Sequence, residues 1–229
     1  MKKIITNDSS TTFYNDTVNE TYHTTSGAIE EAQKKHVFPS QILQRIQKDK
    51  LKKVTILDFC FGLGYNSLVA YTQIRKKYPD LQITILALEN DIAIMQALQE
   101  CSVPEEYITA QKLFFSAIQK YSASSKTIQK IDPHTTIVFY LDDAKESIKK
   151  IPSNNADVVF FDAFSPKKMP ELWTTTIFNQ VYRAIKKGAT LTTYSCARHV
   201  RNNLKEAKFT VIDGPCVGRK SPSTIAIKK

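Results

Sequence analysis

Two stretches of the sequence decide the fold: Asp58-Phe-Cys-Phe-Gly-Leu-Gly-Tyr-Asn66 and Asp162-Ala-Phe-Ser-Pro166. Each follows a short apolar run, and each begins with an acid. In an open α/β sheet, ligands bind in the crevice beyond the carboxyl ends of the strands. We therefore predict that the two loops face one another across a single site, where a cofactor meets a substrate.

The runs that precede and separate these loops have the pattern of central parallel strands. They are short, nearly continuous and rich in β-branched residues, as expected for strands that are covered on both faces. The four runs are Val54–Leu57, Ile83–Leu88, Ile137–Leu141 and Val158–Phe161. Segments with helical spacing lie between them, so the sequence predicts an α/β, doubly wound sheet.

One of these segments has apolar residues at i, i+4 steps and a basic end. Its apolar residues are Trp173, Ile177, Val181 and Ile185, followed by Lys186-Lys-Gly188. Such spacing predicts a helix, and a glycine after basic residues predicts its end. The polar stretch Ser122–Pro133, by contrast, is predicted to be an irregular insertion.

The last third of the chain predicts three more strands, Thr190–Tyr194, Phe209–Ile212 and Ser223–Ile227, with a helix over about Ala197–Ala207. Residues 214–222 are too few for a crossover helix, so the final two strands should pair antiparallel. A mostly parallel seven-stranded sheet with a C-terminal antiparallel hairpin resembles the class I, Rossmann-like fold of S-adenosylmethionine-dependent methyltransferases.

The composition fits one soluble globular domain of 229 residues, with 42% hydrophobic and 24% charged residues. We predict a single methyltransferase domain over residues 1–229, with residues 1–50 as an N-terminal extension or lid and residues 51–229 as the Rossmann-like core. Lys and Arg total 32 against 22 Asp and Glu, a formal net charge of +10. This charge favours an anionic partner such as nucleic acid, although a lysine-rich surface also aids solubility.

The cysteines predict neither a metal site nor a disulfide framework. Cys60, Cys101, Cys196 and Cys216 are widely spaced and form no C-x-x-C pair. No apolar stretch approaches the roughly 18 residues that a membrane-spanning helix needs. The sequence therefore predicts a cytoplasmic protein that binds neither a metal nor a membrane.

Acids at the ends of successive strands form the cofactor side of the predicted site. Glu89 is placed to accept hydrogen bonds from both hydroxyls of a ribose. Asp142 and Asp143 come where an adenine amino group lies in this fold, with Asp143 favoured because Asp142 can cap the next helix. A ring of acids suits a sulfonium better than a pyrophosphate, and Asp58 is placed to attract an amino group. S-adenosyl-L-methionine is the predicted cofactor, although each acid alone can be read as a helix cap.

The glycine loop supports this prediction. Gly62 and Gly64 let the backbone turn tightly and approach a ligand. Cys60 stands where such loops usually have their first glycine. An ordinary strand-to-helix turn is the alternative interpretation of this stretch.

Asp162 and Phe164 are the predicted substrate side. A carboxylate beside an attacking amine can orient it and accept a proton, an effect worth ~10²–10⁴ in rate. Phe164 and Trp173 are candidates for the walls of a base pocket, because stacking on an aromatic ring contributes ~1–3 kcal/mol per base. Core packing of its helix is the alternative for Trp173.

Taken together, the motifs resemble the methyltransferase part of the MnmC family, which completes a wobble uridine of tRNA. The D-x-F-x-P motif followed by P-x-x-W is more specific than the glycine loop. The matching stretches are Asp162–Trp173, Phe178, Thr193–Ser195, Val200–Arg201, Ala207–Phe209, Gly218–Lys220, Phe61–Asn66 and Tyr22–Glu31.

The resemblance implies methylation of the exocyclic amine of 5-aminomethyl-(2-thio)uridine in tRNA, giving the 5-methylaminomethyl derivative. It implies Asp162 as the amine-facing carboxylate. The implied cofactor residues are Asp58, Gly62, Gly64, Asn66, Glu89, Asp142 and Asp143. The implied substrate residues are Phe164, Pro166 and Trp173, with Arg219 and Lys220 as phosphate contacts. A solvated basic loop is the alternative for the last two.

Two departures from the family pattern affect these expectations. Cys60 replaces a family glycine, and no flavin-binding oxidase segment follows in the sequence. We therefore expect a stand-alone methyltransferase, with a separate enzyme supplying its aminomethyl substrate. Two alternatives are an aminopropyltransferase of the spermidine synthase type and an inactive RNA-binding protein of the same fold.

Overall fold

We describe a computed structural model of the chain, in which residues 1–120, 126–217 and 220–229 are described. Its strands form one small and one large sheet. The strands are β1 (Lys2–Ile5), β2 (Thr11–Asn15), β3 (Glu20–Thr21), β4 (Lys53–Phe59), β5 (Gln82–Glu89), β6 (Lys126–Asp132), β7 (Thr135–Leu141), β8 (Ala156–Phe161), β9 (Ile185–Thr193), β10 (Thr210–Asp213) and β11 (Thr224–Ile227).

Helices alternate with the strands of the large sheet. The α-helices are α1 (Ala28–Glu31), α2 (Phe38–Ser40), α3 (Ile42–Lys48), α4 (Tyr65–Lys77), α5 (Ile92–Gln96), α6 (Glu105–Gln119), α7 (Ala144–Lys150), α8 (Thr175–Ala184) and α9 (Arg198–Glu206). A π-helical turn, Ala32–Val37, joins α1 to α2. Two 3₁₀ turns cover Ala97–Glu100 and Pro170–Trp173.

The large sheet confirms the predicted fold class. Its strand order is β10-β11-β9-β8-β4-β5-β7-β6. The strands from β9 to β7 in this order are parallel, and β10, β11 and β6 are antiparallel to their neighbours. The final hairpin inserts β11 between β9 and β10, so the chain has the class I methyltransferase topology in the residues that the structure describes.

In the part of the chain that the structure describes, the large sheet contains eight strands, one more than the seven predicted. β6 forms where the sequence predicts an irregular insertion, and it pairs with β7 along Lys126–Asp132. The alternation of apolar and polar residues along β6 is weak. Only Thr127 and Ile131 of this strand are buried, whereas Ile128 is 61% exposed. A strand at the edge of a sheet buries few side chains, which explains why the sequence of β6 is polar.

The prediction that helix α8 ends at Gly188 is also wrong. Helix α8 ends at Ala184, and β9 starts at Ile185 without a loop. Gly188 lies inside β9 with a left-handed φ of 75°, where the β8–β9 register shifts. Its N–H donates to Lys228 O at 2.7 Å, so this glycine serves an irregularity of the strand.

Two apolar cores cover the faces of the sheet. One contains side chains of α4, α6 and the N-terminal helices, such as Leu68, Phe114 and Ile42. The other contains side chains of α7, α8 and α9, such as Ile148, Phe178 and Leu204. Because both faces are covered, the central strands require the continuous apolar runs that the sequence shows.

Residues 1–50 form the small sheet and the helical segment α1–α3. β2 pairs antiparallel with both β1 and β3. The π-helical turn packs against α4 and β9, and Thr190 of β9 donates through Oγ1 to Ser40 O at 2.9 Å. The segment is therefore joined to the large sheet by buried contacts. None of the helices in the described residues has the length and apolarity to cross a membrane.

Candidate active site

A cavity of about 560 Å³ opens at the carboxyl ends of β4, β5 and β8. Both loops singled out in the sequence reach it. Its lining includes Gly62, Glu89, Asp143, Asp162 and Phe164, together with Tyr22 from the N-terminal segment. The structure therefore brings the predicted cofactor side and substrate side to one cavity.

The glycine loop leaves β4 through three residues of positive φ. These are Cys60 (65°), Gly62 (54°) and Gly64 (76°). A Cβ on Gly64 would lie 2.3 Å from Phe61 Cζ, whereas one on Gly62 would meet nothing closer than Tyr22 Cδ1 at 3.6 Å. Gly64 is required by packing inside the loop. Gly62 instead leaves its backbone accessible from the cavity. Cys60 adopts the left-handed conformation that glycine favours, which is strained for a residue with a Cβ.

Glu89 is bound tightly to the same loop. Its Oε2 accepts the Gly62 N–H at 2.7 Å, and its Oε1 accepts the N–H groups of Asn90 at 2.9 Å and Asp91 at 3.0 Å. Burial raises the pKa of Glu89, while these N–H groups favour its ionised form. The bonds fix the orientation of a carboxylate on the cavity wall.

The two acids after β7 have different positions. Asp143 lines the cavity, and its Oδ1 accepts the Lys145 N–H at 2.8 Å as the N-cap of α7. Asp142 is absent from the lining and accepts a hydrogen bond from Lys150 Nζ at 2.7 Å. That bond lowers the pKa of Asp142. The helix cap anticipated for Asp142 is therefore made by Asp143.

Asp58 lies beneath the loop, outside the cavity lining. Its side chain is fully buried, and Oδ2 accepts a hydrogen bond from Ser67 Oγ at 2.6 Å. Oδ1 has no hydrogen-bond partner among the described residues. Burial raises the pKa of Asp58 to about 7. Near neutral pH this carboxyl therefore exists in both protonation states.

Asp162 is held from two sides at the end of β8. Asn66 Nδ2 donates to its Oδ2 at 2.9 Å, and His36 Nε2 lies 3.4 Å from its Oδ1. Burial opposes its ionisation, yet the facing His36 holds the pKa of Asp162 well below its usual range. Asn66, predicted as a cofactor residue, thus contacts the carboxylate that was predicted for the substrate side.

His36 and His23 are site residues that the sequence analysis missed. His36 lies on the π-helical turn with no exposed surface, and His23 lines the cavity. Burial alone would lower the pKa of His36, but Asp162 raises it above its usual value. Burial lowers the pKa of His23. The sequence did contain a signal for both histidines. His23 lies within the stretch that resembles the family's N-terminal motif, and His36 follows that stretch.

A buried ion pair lies beside these histidines. Lys35 Nζ contacts Glu31 Oε1 at 2.6 Å, and both side chains line the cavity. Glu31 Oε2 also accepts the Thr24 N–H at 2.9 Å. The pair fixes the N-terminal segment where it forms the cavity wall.

The loop after Asp162 places the aromatic residues in different environments. Phe164 lines the cavity, with its ring centroid 4.9 Å from that of Tyr22. Trp173 is 1% exposed and absent from the cavity lining, and its Nε1 donates to Phe164 O at 2.9 Å. Pro166 is also absent from the lining. Trp173 therefore supports the loop from the core, as the alternative interpretation had it.

Of the two basic residues predicted as phosphate contacts, one lies away from the cavity and the other lies outside the described residues. Lys220 is exposed and absent from the cavity lining. Arg219 lies outside the described residues. Val217, from the same connection between β10 and β11, lines the cavity. The hairpin connection therefore reaches the cavity rim.

Comparison with known proteins identifies the family. The model of an S-adenosyl-L-methionine-dependent methyltransferase family matches residues 108–229, which is just over half of the chain. The chain belongs to this methyltransferase family. Among solved structures, the chain is similar to MnmC2 from Aquifex aeolicus, with a TM-score of 0.86 and 32% identity, covering 100% of this chain and 70% of that one.

Relatives by sequence are longer than this methyltransferase. It is 27% identical over 206 residues to the tRNA 5-methylaminomethyl-2-thiouridine biosynthesis bifunctional protein MnmC of Leptospira interrogans, covering 87% of this chain and 31% of the relative. It is 28% identical to an uncharacterized protein of Methanocaldococcus jannaschii, covering 91% of this chain and 54% of that protein. The chain therefore spans about a third to a half of these relatives.

The cavity of the methyltransferase fits S-adenosyl-L-methionine. Gly62 leaves open backbone beside the cavity, and Glu89 presents a fixed carboxylate there. Asp58 Oδ1 is an unpartnered buried acceptor beneath the same loop. Carboxylates suit the hydroxyls and cationic groups of this cofactor. The described residues contain no cluster of His, Cys, Asp and Glu with the makeup of a metal site.

Proposed function

We propose that this methyltransferase modifies the exocyclic amine of 5-aminomethyl-(2-thio)uridine at the wobble position of tRNA, giving 5-methylaminomethyl-(2-thio)uridine. The observation that carries the proposal is the position of Asp162. Its carboxylate is held between Asn66 and His36 on the wall of the cavity that Gly62 and Glu89 also line. The printed names of the MnmC relatives supply the tRNA nucleoside.

Asp162 would bind and orient the amine. An amine nitrogen gains positive charge as it forms a new bond to carbon, and a nearby carboxylate stabilises that charge. Because the pKa of Asp162 is held low, it stays ionised when a cation approaches. Its role is to place the nitrogen and stabilise charge, since a carboxylate with a low pKa does not retain a proton.

Tyr22 and Phe164 would hold the base. Their rings lie next to each other on the cavity wall, 4.9 Å apart between centroids. Glu20 Oε2 accepts the Ser165 N–H at 2.9 Å, which fixes the Phe164 loop to β3. The N-terminal segment would thus act as a lid that excludes water from the amine. Pro166 and Trp173 would shape and support this loop.

Gly62, Gly64, Glu89 and Asp143 would hold S-adenosyl-L-methionine, with Asp58 beneath them. When bound, this cofactor supplies a methyl group on a cationic sulfur. Glu89 accepts two N–H groups at Oε1 and one at Oε2, so it would accept a hydrogen bond from a ribose hydroxyl through the remaining lone pair of Oε2. Asp142, which is paired with Lys150, would contribute only charge.

The proposal extends to partners. Lys220 and Arg219 would contact tRNA phosphates, in keeping with the net charge of +10. A separate enzyme would supply the aminomethyl group, and both reactions would take place in the cytoplasm.

Transfer of a labelled methyl group tests the function. The protein is incubated with labelled S-adenosyl-L-methionine and tRNA carrying 5-aminomethyluridine, and the nucleosides of the product are separated. We expect a labelled 5-methylaminomethyl nucleoside and no label in unmodified tRNA. Absence of transfer, with cofactor binding shown by calorimetry, would contradict the proposed substrate, and polyamines would be tested next. Absence of binding would support the inactive RNA-binding alternative.

Asp162→Asn tests the role of the carboxylate. This variant should lower kcat by at least ~10²-fold because charge stabilisation at the amine is lost. It should bind S-adenosyl-L-methionine as tightly as the natural protein does. A large loss of cofactor affinity would instead place Asp162 among the cofactor ligands.

A further inference from the structure

The substrate amine poses a proton problem that Asp162 alone does not solve. An alkylamine such as the Lys side chain has a pKa of about 10.4, so an aminomethyl group arrives mostly as an ammonium at neutral pH. Attack on a methyl group needs the lone pair, so a proton must leave first. Asp162 contacts the amine in the proposed function, but its carboxylate is held ionised and does not keep a proton.

His36 lies directly behind this carboxylate. Its Nε2 is 3.4 Å from Asp162 Oδ1, and its ring has no exposed surface. Neither of its ring nitrogens, Nδ1 or Nε2, has a hydrogen-bond partner among the described residues, so Asp162 is an ion-pair neighbour at this distance. A buried polar atom without a partner is destabilising, which argues against a purely structural role for this ring. The ring packs edge-on against Phe160, with centroids 6.2 Å apart.

We propose that His36 stores the proton that the substrate ammonium gives up, with Asp162 as the bridge between them. This inference rests on the proposed function. In molecules whose His36 ring is neutral, the N–H bond of the ammonium breaks, its electron pair stays on nitrogen, and Asp162 passes the proton to Nε2. The products are a neutral amine and an imidazolium paired with the carboxylate. The imidazolium returns its proton to solvent when the site opens for product release.

The charged surroundings favour this assignment. Besides Asp162, the groups that act on His36 are Glu31 from α1 and Asp58 from β4, both of which favour its protonated form. Glu31 is paired with Lys35, and burial lowers the pKa of the neighbouring His23, which disfavours a second positive charge there. Around the His36 ring, the negatively charged groups thus outweigh the positively charged ones.

The other elements packed on the π-helical turn bring no competing charge to His36. On β9, Lys186 pairs with Asp157 and Lys187 is exposed. On α4, Arg75 pairs with Asp132 at the far end of the helix. The short helix α2 has no charged residue. Burial opposes the charged form of His36, and among the charged groups around it Asp162 contributes most to its raised pKa.

The pH dependence of methyl transfer in His36→Gln tests this inference. At neutral pH the variant should be ~10²-fold slower in kcat. Its rate should rise about tenfold per pH unit, toward that of the natural protein, because free hydroxide then removes the amine's proton. A structural role predicts a loss that is the same at every pH, and such a result would overturn the inference. His199→Gln, at an exposed histidine of α9, is the matched control and should leave the profile unchanged.

Titration of the histidine rings by NMR gives a second test without substrate or cofactor. The chain has four histidines, which single replacements assign. In the natural protein His36 should titrate above its ordinary value, and in Asp162→Asn its pKa should fall. A His36 pKa that stays unchanged in Asp162→Asn would overturn the proton bridge. If the natural protein does not methylate the tRNA, the proposed function fails. If it does and only the His36→Gln profile is flat, this inference alone fails.

Discussion

At the residue scale, the site consists of carboxylates whose neighbours give them different properties. The pKa of Asp162 is held low beside His36, Glu89 is fixed by backbone N–H groups, and Asp58 is buried with one oxygen unpartnered among the described residues. The same side chain can thus orient an amine, hold a sugar or titrate near neutral pH. Position relative to donors and solvent decides which of these it does.

Asp58 predicts a pH-dependent stability. Its folded pKa of about 7 is above the unfolded value of 3.8, so its favourable contribution is fully present below pH 3.8 and is lost as the pH rises through 7. Asp58→Asn removes this titration and keeps an acceptor for Ser67. Relative to the natural protein, the variant should gain up to about 1–3 kcal/mol in free energy of unfolding between pH 5 and pH 8. Urea unfolding at both pH values measures this, and an equal difference at the two would contradict it.

The acids of the cavity were accessible to sequence analysis because they end strands. Glu89, Asp143 and Asp162 each follow an apolar run, and parallel strands bring their ends to one edge. His36 follows no strand and lies in a helical turn that precedes the large sheet in the chain. Its contact with Asp162 depends on how the N-terminal segment packs, which no local pattern encodes.

At the element scale, the loop from Asp162 to Trp173 is fixed at both ends. Glu20 of β3 accepts the Ser165 N–H, and Trp173 donates to Phe164 O from the core. Trp173 also meets Phe161 with ring centroids 5.0 Å apart. The D-x-F-x-P and P-x-x-W parts of the motif are therefore one structural unit, in which the tryptophan positions the phenylalanine.

Trp173→Phe tests this unit. The variant leaves Phe164 O without its donor and opens a void in the core, so the free energy of unfolding should fall by about 2–4 kcal/mol. The KM for tRNA should rise because the Phe164 loop loses its support. Phe114→Leu, in the core on the opposite face, should lower stability without changing KM. A Trp173→Phe variant with unchanged KM would show that the loop does not depend on this bond.

The elements that the sequence predicted well are those with two buried faces. The runs Val54–Leu57 and Val158–Phe161 lie within β4 and β8, and the final hairpin pairs as expected. β6 was missed because an edge strand buries little, and the end of α8 was misplaced because Gly188 serves a strand irregularity. A left-handed glycine fits either a helix end or a bulge, so its residue type alone does not separate the two.

At the scale of the whole molecule, the excess of basic residues is a property of the surface. The 32 Lys and Arg exceed the 22 Asp and Glu, yet the cavity is lined by several acids. A cationic exterior attracts an RNA backbone, while an anionic cavity attracts its cationic amine. The two fields together would favour an aminomethyl nucleoside in tRNA over the same nucleoside free in solution.

Arg219→Ala with Lys220→Ala tests the contribution of the hairpin to this surface. If both side chains contact phosphates, the slope of log affinity for tRNA against log salt should become shallower by about 1.4–1.8. Lys76→Ala with Lys77→Ala removes the same charge at the C-terminal end of α4, where that helix is farthest from the cavity. That control should leave the slope close to natural. Equal effects of the two double variants would mean that only net charge matters.

The added strand β6 has a consequence for how copies of the protein meet. It forms one margin of the large sheet, and its exposed Ile128 lies between Lys126 and Lys130 on the same face. A strand at the edge of a sheet with an exposed apolar side chain is a template for self-association. Two copies that approached edge to edge would bring the like-charged ammonium groups of Lys130 together. We therefore expect Lys130→Ala to lower the solubility of the protein before it lowers methyl transfer.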